Sequence, residues 1–127
     1  MKIPPQQQIF NAVFSESLKL GYSTFDYLPP NSQELPFVFV GEQFSQDRTT
    51  KRFLYADVQQ TIHVYGDIKS RSDVLSMTNN LKVAIRKIKR TDDFVIVCKN
   101  ISDQVITEST GNTPILHAII ETEFTFN

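Results

Sequence analysis

The two histidines of the sequence are the clearest candidates for metal binding or acid–base chemistry. His63 and His117 lie in two segments of alternating polar and apolar residues, and each has the phase of the more polar face. If these segments are neighbouring strands, the two imidazoles can meet and, with Glu121, supply nitrogen and oxygen ligands to a metal ion. No HxH or HExxH spacing supports such a site. We therefore interpret both histidines as half-exposed strand residues and predict no metal.

The other candidate groups lack the partners that catalysis needs. Cys98 ends the apolar run Phe94–Cys98, where a buried and unreactive thiol is expected. A nucleophilic thiol requires a base and an electropositive environment, and the sequence identifies neither. Asp92 and Asp93 fall in a turn, and none of the four glycines belongs to a GxGxxG or GxxxxGK pattern. The sequence predicts no enzymatic activity and no cofactor.

Composition sets broad limits on the protein class. The 127 residues suit one domain, predicted to span 1–127, and 40% of them are hydrophobic, which is enough for a core. The formal net charge of -1 gives no general attraction to nucleic acid or to acidic membranes. One cysteine excludes an intrachain disulfide, and no apolar run approaches the roughly 20 residues of a membrane helix. Without a signal-peptide pattern, a soluble protein made inside the cell is expected.

The elements that must position these residues follow from hydrophobic periodicity. Arg52 to Tyr65 alternates as a half-buried strand, which Gly66 and Asp67 are predicted to end. A helix with apolar positions Val74, Leu81, Ala84, Ile85 and Ile88 follows. The remaining predicted elements are a helix over Gln6–Leu20, a short strand within Tyr22–Tyr27, and strands over Pro36–Val40, Phe94–Cys98, Ile101–Thr107 and Ile115–Phe126.

This order predicts an α+β fold in which two helices cover one face of an antiparallel sheet. Gly41 is predicted to end the Pro36–Val40 strand, which leaves Glu42–Lys51 as a long polar hairpin loop. Such a loop is either mobile or functional. The second face of the sheet carries aromatic and aliphatic residues beside His63 and His117, a mixture typical either of an interface or of scattered surface residues.

These two features give the predicted subunit or partner interface. Its residues are Glu42, Gln43, Phe44, Asp47, Arg48, Lys51, Arg52, Tyr55, His63 and Tyr65. The end of the second helix adds a basic cluster, which consists of Lys82, Arg86, Lys87, Lys89 and Arg90. This cluster is either a solvated helix end, where cations are favourable, or a contact with DNA phosphates or an acidic partner.

The whole pattern resembles the tail terminators, or tail-to-head joining proteins, of long-tailed phages. Ile9–Leu20 is similar to their first helix, Pro36–Val64 to their hairpin, Asp73–Ile88 to their second helix and Phe94–Phe126 to their closing strands. The similarity rests on element order and on phrases such as Thr61-Ile62-His63-Val64-Tyr65, since the family offers no catalytic motif.

The resemblance implies a structural virion protein at the head-proximal end of the tail, made in the host cytoplasm. It implies a homo-hexameric ring that caps the tail tube, joins the head completion protein and lets DNA pass through its channel, although the isolated chain is free to remain monomeric. Membrane partners are not implied. Small head-tail connector proteins have a similar sequence pattern and are one alternative to a tail terminator. A dimeric α+β ligand-binding or regulatory domain is an alternative from a different functional class.

Overall fold

Two helices and five strands make up the computed structural model, which describes residues 3–49, 54–110 and 113–126. In chain order they are α1 (Pro5–Lys19), β1 (Thr24–Phe25), β2 (Phe37–Thr49), β3 (Leu54–Asp67), α2 (Arg71–Arg86), β4 (Ile96–Thr110) and β5 (Thr113–Phe126). Within these ranges, neither helix has the length and apolar character required to cross a bilayer.

The strands form one sheet in the order β1-β2-β3-β5-β4. Every neighbouring pair is antiparallel except β1 and β2, which run parallel. The predicted α+β class is confirmed, and the parallel pair corrects the all-antiparallel expectation. The parallel arrangement arises because the chain from 26 to 36 crosses back before β2 begins, so a tight hairpin does not join the two strands.

Both helices pack on the same face of the sheet, as predicted. Helix α1 has Pro5 at its first position, where a missing N–H costs no hydrogen bond. Gly21 follows the C-cap residue Leu20, and its φ of 89° suits a residue without a Cβ. Its Ile9 and Val13 are buried against the core. On α2, Val74 and Ile85 have no exposed surface, so the predicted apolar stripe does face the sheet.

The alternation predicted for the two long strands is confirmed by their register. Ile62 pairs with Ile120 and Val64 pairs with Ala118, and all four side chains are buried on the helix-covered face. We call this the inner face, and the opposite side of the sheet the outer face. The core is therefore a layer of aliphatic side chains between the two helices and strands β2, β3 and β5.

The predicted long hairpin loop is wrong. Gly41 does not end β2, which continues to Thr49 and pairs with β3 as far as Thr49↔Leu54. The register slips once, between Val40 and Gln43, and the resulting bulge keeps the strand in the sheet while adding a residue. Buried Gln60 stabilises this bulge because its side-chain amide donates to the carbonyls of Gly41 and Glu42 at 3.2 and 3.1 Å.

Two further boundaries differ from the prediction. The segments predicted as separate strands around Cys98 and Ile101 form a single strand, β4, with a second register slip between Cys98 and Asn100. Gly66 lies within β3 and does not break it. A Cβ at Gly66 would stand 2.2 Å from Val74 Cγ2, so glycine is required there by the close approach of α2.

Candidate functional site

Four side chains form a continuous hydrogen-bonded row on the outer face. The row crosses four neighbouring strands and consists of Glu42 on β2, His63 on β3, His117 on β5 and Glu108 on β4. His63 Nε2 contacts Glu42 Oε1 at 2.8 Å, His63 Nδ1 contacts His117 Nε2 at 2.7 Å, and His117 Nδ1 contacts Glu108 Oε1 at 2.6 Å. We call these four residues the histidine row.

Both imidazoles are buried although no helix covers them. His63 is 8% and His117 is 5% exposed, so the prediction that both histidines are half-exposed is wrong. Aromatic rings enclose them: Phe39 stacks on His63 at a centroid distance of 5.3 Å, and Tyr65 stacks on His117 at 4.3 Å. Phe37 stacks in turn on Tyr65 at 4.9 Å. The burial of the histidines therefore comes from neighbouring side chains of the same face.

The row changes the acid–base behaviour of its neighbours. Burial by itself raises the pKa of Glu42, but the hydrogen bond from His63, a backbone hydrogen bond and the positive charge of the imidazoles outweigh this, and the pKa is lowered. Burial raises the pKa of the Tyr65 hydroxyl, and the carboxylates of Glu108 and Glu42 raise it further. Glu42 is thus held ionised, and Tyr65 is held neutral.

The residues considered in the sequence analysis as possible metal ligands meet only in part. The two histidines do come together, but Glu121 stays exposed, opposite Thr61 in the sheet, and the carboxylates in contact with the histidines are Glu42 and Glu108. Among residues 3–49, 54–110 and 113–126, no group of three or more His, Cys, Asp or Glu side chains is arranged to hold a metal ion.

The bulge and the hairpin beyond it hold most of the predicted interface residues. The side-chain amide of Gln43 makes contacts within the chain, because it donates to Gln60 Oε1 and to the Gln6 carbonyl at 2.9 Å each. Phe44 is 60% exposed and faces outward opposite Gln59. Asp47 is also exposed.

Some of the remaining predicted interface residues lie on strands β2 and β3, and the others lie outside the described residues. The backbone of Arg48 pairs with that of Tyr55. His63 and Tyr65 lie within the buried aromatic end of the outer face. Lys51 and Arg52 lie outside the described residues.

Each long edge of the sheet is free over most of its length in the described part of the chain. Strand β1 pairs with β2 only at Val38 and Phe39, so β2 from Val40 to Thr49 has one unpaired edge. At the other side, β4 pairs with β5 alone. Its residue Val97 lies on the outer face opposite Thr125 and is 58% exposed.

A small pocket adjoins the aromatic end of the outer face. Its volume is about 130 Å³, and Leu28, Leu35, Phe37 and Ile115 line it with Tyr65 and Glu108. The pocket has room for a single side chain, well below the roughly 300 Å³ or more of a ligand site.

The basic cluster at the end of α2 and Cys98 are the remaining candidates from the sequence. Lys82, from the basic cluster, forms an ion pair with Asp103 at 2.6 Å and so joins α2 to β4. Helix α2 ends at Arg86, which places Lys87, Lys89 and Arg90 beyond the helix. Cys98 is half-buried, which corrects the predicted buried position, and burial raises the pKa of its thiol more than Arg86 lowers it.

Comparison with solved structures identifies a chain with this architecture. The chain matches one from the virion of the native gene transfer agent (GTA) particle with a TM-score of 0.66 and 12% identity, over 94% of this chain and 96% of that chain. The protein therefore has the fold of a virion-particle chain. A weaker match, with a TM-score of 0.45 and 12% identity, is the type 4 fimbrial biogenesis protein PilO from Pseudomonas aeruginosa, over 98% of this chain and 73% of that chain. No family model and no curated protein matches the sequence.

Three members of the row were candidates from the sequence, and Glu108 is the fourth. Glu108 was not a candidate, because the partner of His117 depends on how β4 pairs with β5. The signal in the sequence is that Glu108 lies one position before the turn-forming Ser109–Pro114 segment and His117 lies three positions after it. A hairpin centred on that turn brings them to the same face, and the register Glu108↔Ile115 does so.

Proposed function

We propose that this chain is a structural virion protein that forms a ring, caps the tail tube and joins the tail to the head. The observation that carries the proposal is the fold similarity to a chain of the gene transfer agent virion, which extends over nearly the full length of both chains. Element order and sequence texture support it independently. In this role the protein catalyses no reaction.

The sheet edges support a ring as the form of assembly. Strands β2 and β4 run in opposite directions, since three antiparallel pairings separate them. If β4 of one subunit lies beside β2 of the next with the same face outward, the two strands are antiparallel, and the alternation of the sheet continues. Such a head-to-tail contact uses two different surfaces, so repeated copies close into a ring when the rotation permits. We propose six subunits.

Exposed apolar residues lie on both of these edge strands. Phe44 on β2 and Val97 on β4 are 60% and 58% exposed, and both lie on the outer face. Burial of such side chains at a subunit contact is favourable by about 25 cal/mol per Å². The partners we propose are further copies of this chain, the tail tube protein and the head completion protein, with DNA passing through the channel.

The deciding experiment measures mass and shape. Light scattering and negative-stain microscopy would be carried out on the purified protein alone and after incubation with purified tail tubes. Rings of about six chains in either sample support the proposal, and capped tube ends in the second sample support the tail position. A monomer in both samples contradicts the ring, and a dimer supports the ligand-binding or regulatory alternative. Rings that bind isolated head portals but never tube ends favour the connector alternative.

Two edge variants and a matched control sharpen this test. Phe44→Ser and Val97→Ser each remove an exposed apolar side chain from a proposed contact, whereas Val83→Ser removes one from α2, where it is 50% exposed. We expect the two edge variants to lose ring formation or tube capping and to retain their melting temperature. Loss of assembly by the Val83 variant as well would show that general surface hydrophobicity, and not the strand edges, drives association.

A further inference from the structure

The proton content of the histidine row follows from its three contacts. An ionised carboxylate only accepts, so the contacts with Glu42 and Glu108 place a hydrogen on His63 Nε2 and another on His117 Nδ1. The contact of 2.7 Å between His63 Nδ1 and His117 Nε2 needs one hydrogen between the two nitrogens. Two imidazoles then carry three protons, so one is neutral and the other is an imidazolium.

We propose that Glu42, His63, His117 and Glu108 form a single titrating site that holds one shared proton and acts as a pH-sensitive switch across strands β2, β3, β5 and β4. The shared proton lies between the two imidazoles, and the two carboxylates at the ends balance its charge. The inference is independent of the ring assembly, because it concerns groups within one chain.

Either a gain or a loss of one proton disrupts the row. With a fourth proton, His63 Nδ1–H and His117 Nε2–H point at each other, and the short contact between two cations has no acceptor. With only two protons, one of the three contacts sets two lone pairs against each other. Both events occur where the imidazoles are 8% and 5% exposed, so water cannot easily replace the lost bond. The complete row therefore exists within a limited pH range.

The surrounding groups favour retention of the shared proton. The other titratable or charged side chains described on this face or on the segment packed over it are Asp26, Tyr27, Glu34, Asp57, Tyr65, Asp67, Lys99, Glu121 and Glu123. Lys99 is 3.5 Å from Asp57, toward the opposite end of the strands from Tyr65. The nearest neighbour, Tyr65, is held neutral, and most of the others are acidic, so the field at the row is that of anions.

The position of the row determines what the switch moves. Glu42 belongs to the β2 bulge, and its side chain is 69% exposed, so its contact with His63 is what holds it to the sheet. Glu108 is near the end of β4, where the strand turns into β5. Disruption of the row releases the Glu42 side chain at the bulge of one edge strand and the Glu108 side chain near the end of the other. The backbone pairing of these strands and the Gln60 contacts to the bulge carbonyls do not depend on the row.

The test is a pH titration of the full-length protein labelled with ¹⁵N-histidine and followed by NMR. Near neutral pH we expect three protonated ring nitrogens and one unprotonated nitrogen, with one hydrogen coupled to both His63 Nδ1 and His117 Nε2. The two rings should titrate as one coupled system. Two neutral imidazoles at neutral pH, or two independent titrations, would overturn the proposal. This measurement needs no variant and stands even if a substitution impairs folding.

A matched pair of variants tests the role of the terminal carboxylates. Glu108→Gln keeps a hydrogen-bond acceptor for His117 but removes the negative charge, so the midpoint for loss of the shared proton should fall by about one pH unit or more. Glu121→Gln removes an exposed carboxylate from the same face and should leave that midpoint in place. Equal shifts in both variants, or none in the Glu108 variant, would contradict the proposal.

Discussion

The two faces of the sheet bury side chains by different means. On the inner face, helices α1 and α2 cover aliphatic residues such as Ile62 and Ile120, and non-directional apolar contact is sufficient. On the outer face none of the described residues forms a covering helix, and His63 and His117 are buried by stacked aromatic rings and by hydrogen bonds to carboxylates. The inner face is therefore stabilised mainly by the packing of buried apolar side chains. The outer face is stabilised by hydrogen bonds that depend on the positions and the protonation of its side chains. The first tolerates changes of pH, and the second does not.

The largest effect that this comparison predicts is at the centre of the inner face. Ile85 is fully buried between α2 and the sheet, so Ile85→Ala removes apolar contacts and leaves a cavity. We expect a loss of about 2–5 kcal/mol in the free energy of unfolding, measured by urea denaturation. Val83→Ala, at an exposed position of the same helix, is the control. A loss under about 0.5 kcal/mol for Ile85→Ala would mean that α2 does not pack on the sheet as described.

The second effect tests the closeness of α2 to β3. Gly66→Ala places a methyl group 2.2 Å from Val74 Cγ2, so the Val74 side chain or α2 itself must move. The expected loss in unfolding free energy is about 1–3 kcal/mol. In the double variant Gly66→Ala/Val74→Ala the clash is relieved, so the loss should be smaller than the sum of the two single losses. Strict additivity would show that the two positions do not touch.

A smaller and pH-dependent effect is predicted at the bulge on the outer face. The pKa of Glu42 in the folded protein is below its ordinary value of 4.5, so its ionised form stabilises the fold above that value. This contribution is lost as the pH falls through the folded pKa. Because the Glu42 side chain is 69% exposed, the contribution should be under about 1 kcal/mol.

Comparison of the wild type with Glu42→Gln across pH isolates this contribution. The difference in unfolding free energy should be present at pH 6 to 7 and should vanish once the pH falls below the folded pKa of Glu42, where this carboxyl is protonated in both the folded and the unfolded state. An identical difference at both pH values would show that Glu42 contributes through packing and not through charge.

The smallest effect on stability is predicted at the hairpin. Phe44→Ser changes a side chain that is 60% exposed and that lies on the outer face, away from the helix-covered core. The unfolding free energy should change by no more than about 0.5 kcal/mol. A larger loss would show that Phe44 belongs to the packed part of the outer face, and the strand-edge contact would then need another exposed residue.

Periodicity allowed much of the inner face to be predicted from sequence. The bounds of α1 were predicted within one residue, the buried positions Val74 and Leu81 were identified, and the faces of β5 were assigned correctly. These features depend on the side-chain periodicity within one element, which is 3.6 residues for a helix and 2 for a strand. Each period can be recognised from consecutive residues of the chain. Polar content was a poorer guide, since Gln43 and Asp47 lie in a paired strand and not in a loop.

The sequence alone determined that an α+β sheet carries two helices on one face, and that both histidines point to the other. Only the tertiary structure decided that these histidines touch and which carboxylates complete the row. His63 and His117 are 54 positions apart, and Glu42 and Glu108 enter from two further strands. Their meeting depends on strand order, on the register of three pairings and on the bulge that places Glu42 at His63. These contacts require one particular strand register, because a shift of one residue in the pairing would turn every side chain of that strand to the opposite face.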